Sequence, residues 1–324
     1  MKLSTKYNMA KIFLITFISF TLSCGGVDTD ELIPLFPQEE VEEIDNGDFA
    51  GNLQIVLGDI KQAQILNSLS TTLQVENLLT GFKALGVQGI RITIFPEGEN
   101  PNEEMFDYFY TRAKAEGFKI MANPALWEGA QRIANKVLHG TVVDPNNQGA
   151  AGPSVLGNDE ATQIVINRIK EFATQYEVDW ITPFNEDGRP GVGWSTAQIN
   201  EIYSALHNNV NGAELIGPCT WGVPAGTLML TQTDIKQYIT VATTHNLGFN
   251  HDSWPGFIEA AGDLPVWDSE VNNNAAFSDR ATRIDAAISA GVNGLVLYDS
   301  WRTISLTDGS LNNNGVILKN KIYE

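Results

Sequence analysis

From Phe49 onward, short apolar β-prone runs alternate with amphipathic stretches, and the alternation repeats eight times. The runs cover residues 53–59, 89–95, 118–125, 180–186, 213–221, 247–254, 264–270 and 294–301. Runs that are apolar on both faces fit parallel strands covered by helices. Eight βα units in roughly 280 residues fit one closed barrel better than an open sheet. A single (β/α)8 TIM barrel over residues 49–324 is therefore expected. Only 23 residues follow the eighth run, so its last helix should be short or incomplete, near 316–322. The other helices are expected at 62–85, 103–116 (closing on Gly117), 159–176, 196–206 (capped by Ser195/Thr196), 257–261 and 278–290, the last closing on Gly291. Residues 127–157 carry several Gly, Pro and Asn and read as a long functional loop.

Two of the runs end on a glutamate: Trp180-Ile181-Thr182-Pro183-Phe184-Asn185-Glu186 and Leu264-Pro265-Val266-Trp267-Asp268-Ser269-Glu270. A strand that stops on an unpaired carboxylate contributes little to a core. It presents an acid at the barrel's C-terminal face, where chemistry in this fold is sited. The 84-residue step from Glu186 to Glu270 makes three βα units, which brings the two acids to facing strand ends. Two carboxyl groups about 5–5.5 Å apart can cleave a glycosidic bond with retention, one as acid and one as nucleophile.

Asn185-Glu186 ending the fourth strand and Glu270 ending the seventh resemble the signature of glycoside hydrolase clan A. So does Arg91 within Gly89-Ile90-Arg91-Ile92-Thr93 on the second strand, with His251 and Trp301 placed at the ends of the sixth and eighth. The resemblance implies a retaining enzyme with Glu186 as acid/base and Glu270 as nucleophile. It implies that Asn185 binds the sugar 2-hydroxyl, that Arg91 keeps Glu270 ionised, and that Trp301 floors the subsite beside the cleaved bond. Asp187 stands where many clan members have Pro, and Asn123-Pro124-Ala125-Leu126-Trp127 lacks a His that several families carry. The family within the clan is therefore open.

The tryptophans add a partly separate argument. Trp127, Trp194, Trp221, Trp254 and Trp301 fall at or just after strand ends, where indole faces can stack on pyranose rings. His251 is expected to touch substrate or nucleophile, and Asp187 to lie on the rim. Asp59, Asp268 and Asp299 read as structural.

The N-terminus has a different character. Lys2, Lys6 and Lys11 precede the apolar run 12–22, too short for a membrane span, and Ser23-Cys24 follows. Residues 1–23 read as a lipoprotein-type signal peptide, with Cys24 the lipidation site, and the acidic residues 24–48 as a tether. An exported bacterial lipoprotein is expected, at the outer membrane or cell surface, with a periplasmic or secreted location the alternative. Cys219 would then be the one remaining cysteine, leaving no intrachain disulfide.

Removing residues 1–23 strips three lysines and no acids, taking the formal net charge from −19 to about −22. That charge argues against nucleic acid or an anionic membrane as partner, and for a neutral β-linked polysaccharide or oligosaccharide. The lipid at Cys24 would be the only membrane contact, and the protein a monomer. No His-Glu-x-x-His helix, His-x-His strand or Gly-x-Ser-x-Gly elbow occurs, so neither a metal nor another cofactor is expected. The full expectation is an endo-acting β-glycanase. Its alternatives are a surface glycan-binding lipoprotein on a degenerate barrel, and a transglycosylase using the same glutamates.

Overall fold

The computed structural model describes residues 48–140, 151–247, 250–274 and 281–324. The signal segment, Cys24 and the tether up to residue 47 lie outside the described residues, as do residues 141–150 of the expected long loop. Eight parallel strands close in sequential order: β1 Ile55–Asp59, β2 Gly89–Ile94, β3 Lys119–Pro124, β4 Trp180–Ile181, β5 Glu214–Thr220, β6 Val241–Thr244, β7 Val266–Val271 and β8 Gly294–Leu297. The expected (β/α)8 barrel is what forms.

The helices are α1 Lys61–Ile65, α2 Thr72–Leu85, α3 Glu103–Ala115, α4 Gly129–His139, α5 Asp159–Gln175, α6 Thr196–Leu206, α7 Val223–Gln232, α8 Trp254–Ala261, α9 Arg283–Ala290 and α10 Asn313–Tyr323. The expected helix at 62–85 is two helices. Thr71 breaks it by forming a capping box with Gln74 that starts α2 afresh. Ser195 caps α6 in the same way with Gln198. Gly86 and Gly291 close α2 and α9 at φ 83° and 85°, a left-handed conformation that costs glycine nothing. The final helix is eleven residues long.

Three expectations fail locally. The sixth strand is Val241–Thr244, not residues 247–254, because a four-residue Val-Ala-Thr-Thr run is too short to stand out beside the Trp-bearing segment that follows. Residues 127–157 are not one loop, since α4 lies inside them. The fourth strand pairs regularly only at Trp180–Ile181, with one more backbone bond from Thr182 N–H to the Ala122 carbonyl at 3.1 Å.

The barrel interior is filled in layers. Leu57, Met121, Ile216, Val241, Trp267 and Val296 pack with Trp180 towards one end, where the Trp180 and Trp267 rings meet edge to face at 5.1 Å. Polar side chains occupy the other end, at the strand C-termini. Two register shifts occur there, between Pro218 and Thr220 on β5 and between Asp268 and Val271 on β7. Such bulges re-aim side chains. With Trp267 inward, strict alternation would have turned Glu270 outward; the β7 shift lets it face the mouth.

Two glycines in helices separate propensity from packing. A Cβ on Gly81 would sit 2.1 Å from Ile304 Cγ2 and 3.0 Å from the Gly309 carbonyl, whereas one on the exposed Gly256 would meet nothing within 4 Å. Alanine gains about 0.5–1 kcal/mol over glycine in a helix, and overpacking costs about 1–3 kcal/mol. Urea denaturation should therefore show Gly256→Ala stabilised and Gly81→Ala destabilised.

Candidate active site

Arg91 on β2 lies wholly buried in the barrel and organises the mouth. Its Nε and Nη2 donate to the two oxygens of Asp59 at 2.9 and 2.7 Å, a forked pair that fixes the guanidinium plane. The remaining Nη1 donates to Glu270 Oε2 at 2.8 Å and to the Ser269 carbonyl at 3.0 Å. Asp59 also accepts the backbone N–H groups of Lys61 and Asp299, both at 2.9 Å.

Opposite Glu270 stands Glu186, in the left-handed region at φ 57°, where a non-glycine residue is strained. Its N–H is tied to the Cys219 carbonyl at 2.7 Å, and Cys219, the residue put out by the β5 bulge, is itself left-handed at φ 50°. Two irregular strand ends thus hold each other. Asp187, expected on the rim, is buried. Its carboxylate accepts the N–H groups of Ala130 and Gln131 at the start of α4, the Asn185 N–H and the Trp194 indole N–H, at 3.0–3.2 Å. Burial raises its pKa to about 6 even though those four donors favour the charged form.

Between the two glutamates lies His245, just past the end of β6 and fully buried. Its Nδ1 is 3.1 Å from Glu186 Oε1 and 3.9 Å from Glu270 Oε2, and one ligand atom from each of the three residues lies within 4.8 Å of the others. Burial would discharge the ring. The Glu270 charge, the interaction with the Cys219 thiol, and the hydrogen bond and charge of Glu186 together outweigh it and lift the pKa to about 10. Burial likewise works against an ionised Glu270, yet His245, Lys61 and Arg91 together pull it well below the usual carboxylate range.

Lys61, the first residue of α1, completes the cluster. It is 2% exposed, with Nζ 3.6 Å from Glu270 Oε2 and 2.8 Å from Asn185 Oδ1. Asn185 Oδ1 also accepts from Asn123 Nδ2 at 2.7 Å, and Asn185 Nδ2 donates to the Leu126 carbonyl at 2.8 Å. A lysine can only donate and a carbonyl can only accept, so the amide has one allowed orientation. Its oxygen is doubly occupied by protein donors and its nitrogen is turned away from them. The expected hydrogen bond from Asn185 to a sugar hydroxyl has no donor aimed at the cleft.

The aromatic residues divide. Trp221, after β5, is 49% exposed. Trp127 is half-buried with the Arg132 guanidinium 4.9 Å from its ring. Trp301 follows β8 with its indole N–H on Asp299 and Arg302 stacked at 4.7 Å, leaving it 8% exposed. Trp194 and Trp254 are corrections. Trp194 is buried against Phe184, and Trp254 is buried at the start of α8 against Phe257, so neither offers a stacking face. His251 is a third correction, because it sits in the short turn His251–Ser253 beyond the loop that follows β6. His245 occupies the strand-end position for which His251 was expected.

Sequence reading missed His245, Lys61 and Asn123. His245 was hidden by the misplaced sixth strand. Lys61 left a signal, a lysine two residues beyond a strand that ends on an acid. Glu186, His245 and Glu270 could together reach one cation, but Lys61 and Arg91 already put positive charge beside Glu270. The set suits proton transfer and nucleophilic attack better than ion binding.

No protein-family model matches the chain, and no curated protein matches it. Solved structures do. The catalytic domain of a GH30 xylanase C from Talaromyces cellulolyticus is 12% identical, with TM-score 0.51, covering 85% of this chain and 76% of that one. A β-glucuronidase from Ruminococcus gnavus, in complex with D-glucuronic acid, is 11% identical with TM-score 0.55. That match covers 86% of this chain and 52% of the other, so the chain spans about half that protein's length. At such identity the likeness speaks for the fold. The class so defined is the closed (β/α)8 barrel, a fold this chain shares with those two solved glycosidases.

The raised pKa of His245 has a consequence for stability. A histidine held above its ordinary value contributes stability that is complete below pH 6.5 and fades as pH rises through about 10. Denaturant midpoints of the parent protein should fall between those pH values. Glu270→Gln removes the leading charge that raises His245 and should flatten the fall; identical slopes in the two proteins would refute the coupling.

Proposed function

We propose that the chain is an exported, retaining glycoside hydrolase that cleaves a neutral β-linked polysaccharide, β-glucan-like, in an endo manner. The observation carrying this reading is the approach of the two carboxylates, with oxygens within 4.8 Å. Retaining enzymes hold the pair at about 5–5.5 Å, whereas inverting ones need about 6.5–9.5 Å to admit a water. The barrel likeness to solved glycoside hydrolases supports the same class.

In this reading Glu270 is the nucleophile. Its Oε2 is anchored by Arg91 at 2.8 Å and flanked by Lys61 at 3.6 Å, so Oε1 is the oxygen left to attack the anomeric carbon. Glu186 is the acid. Its Oε1 faces His245 Nδ1, so the transferable proton sits on Oε2 and passes to the leaving oxygen as the glycosidic bond breaks. The result is a glycosyl ester on Glu270. Glu186, now ionised, takes a proton from water, whose oxygen attacks the same carbon and frees Glu270. No cofactor enters either step. Trp301 floors the cleavage subsite, while Trp221 and Trp127 extend the stacking surface along the groove. The signal at 1–23 exports the chain, a lipid on Cys24 anchors it by way of the acidic tether, and it acts as a monomer.

The test is reducing-end release from a panel of β-glucans, xylans and mannans by the full-length protein. The parent should release ends from at least one. Glu270→Gln should abolish turnover while glycan binding persists. Glu186→Gln should lose about 10²–10⁴-fold on polysaccharide and far less on a dinitrophenyl glycoside, whose leaving group needs no proton. Binding to a glycan without release from any of the panel would replace the enzyme with a glycan-binding protein. Lengthened products would make it a transglycosylase.

A further inference from the structure

We propose that Lys61 is a positioning residue of this site, its ammonium bridging Asn185 at the end of the fourth strand and Glu270 at the end of the seventh. Asn185 then acts as the anchor of Lys61 rather than as a ligand of the sugar. The inference rests on the hydrolase reading for its catalytic meaning, although the bridge itself can be tested without turnover.

The argument begins with donors and acceptors. The Asn185 oxygen takes Lys61 Nζ at 2.8 Å and Asn123 Nδ2 at 2.7 Å, filling both lone pairs, and its nitrogen is committed to the Leu126 carbonyl. A buried amide so satisfied loses a hydrogen bond if it turns towards substrate, and a buried group left unpaired costs about 1–3 kcal/mol. Lys61 has the opposite character. One of its three N–H groups is used on Asn185, and its charge lies 3.6 Å from the anchored oxygen of Glu270.

A lysine 2% exposed is rarely placed in a barrel without a partner charge, because burial favours its neutral form. Arg91 nearby also works against its charge, while Glu270, Glu186 and Asp59 favour it. The arrangement is therefore reciprocal: Glu270 keeps Lys61 protonated, and Lys61 helps keep Glu270 ionised. Its backbone N–H on Asp59 ties the same residue to the Arg91 fork. Lys61 thus links both carboxylate-bearing strand ends to the pair that fixes Arg91. When Glu270 becomes an ester and loses its charge, Asn185 still holds the ammonium in place for the return step.

The experiment follows side-chain titrations by NMR in the full-length protein, using ¹³C-labelled glutamate carboxyl and ¹⁵N-labelled lysine ammonium groups. In Lys61→Met the Glu270 titration, assigned by its loss in Glu270→Gln, should move up by one pH unit or more. Lys61→Gln, which keeps a donor but no charge, should move it in the same direction. In Glu270→Gln, which leaves Lys61 intact, the Lys61 titration should move down. On a polysaccharide that the parent hydrolyses, Lys61→Met should lower kcat/KM at least tenfold and carry the acid limb of its pH profile upward.

A lysine with a merely structural role would change the melting temperature and leave both titrations in place. That result would overturn the proposal even if activity fell. Should Lys61→Met not fold, the Lys61 titration in Glu270→Gln still decides, and an unmoved value there rejects the bridge. A parent that hydrolyses nothing would defeat the enzyme reading instead, with the titrations judging the bridge separately.

Discussion

The pairing of Asp59 with Arg91 is the interaction on which the rest of the mouth depends. Both are fully buried, and each would cost several kcal/mol to desolvate alone. The fork geometry spends Nε and Nη2 on Asp59 and leaves Nη1 at one fixed angle, aimed at Glu270. Asp59 is itself held by Lys61 and Asp299 backbone donors. One buried ion pair thereby ties the middle of β2 to the ends of β1, β7 and β8. The arrangement favours specificity of geometry over stability, since a buried pair of this kind seldom stabilises more than an apolar packing would.

The second constraint is backbone irregularity at the strand ends. A parallel strand that kept its alternation would not turn both Trp267 and Glu270 inward, and Glu186 could not adopt a left-handed φ within a ladder. The β5 and β7 bulges and the early end of β4 supply that freedom. The strain is held in place by Asp187, whose four accepted hydrogen bonds fasten Asn185, the start of α4 and the Trp194 indole into one unit. A site built on such ends is rigid because each irregular residue is pinned by a neighbour that is itself buried.

The electrostatics follow from this packing. His245, Lys61 and Arg91 converge on one oxygen of Glu270, and of the three it is His245 that also lies within hydrogen-bond distance of Glu186. The two carboxylates accordingly sit in unequal fields although they lie close together. At Glu270 those three cations outweigh burial and hold the carboxyl well below the usual carboxylate range. The protein's overall acidity plays no part at this range, because these groups are buried and the surface charges are screened.

What the sequence determined by itself was the frame. Repeated βα alternation selects parallel strands covered by helices, and eight such units in about 280 residues select a closed barrel over an open sheet. Strands ending on Glu186 and Glu270, with Arg91 on the second, place an acid pair and a cation at one face, since strand C-termini share that face. Capping residues such as Ser195, Gly86 and Gly291 set several helix ends through local bonding alone. What only the tertiary structure decided was which polar side chains meet. His245 rather than His251 reaches the carboxylates because the sixth strand is short. Trp194 and Trp254 turn into the core, and Asn185 is consumed by Lys61 and Asn123. Those outcomes depend on bulges and on partners 59 to 124 residues distant, such as His245 with Glu186 and Lys61 with Asn185. Local spacing carries no information about such partners, because a hydrogen bond's direction is settled only when both ends are in place.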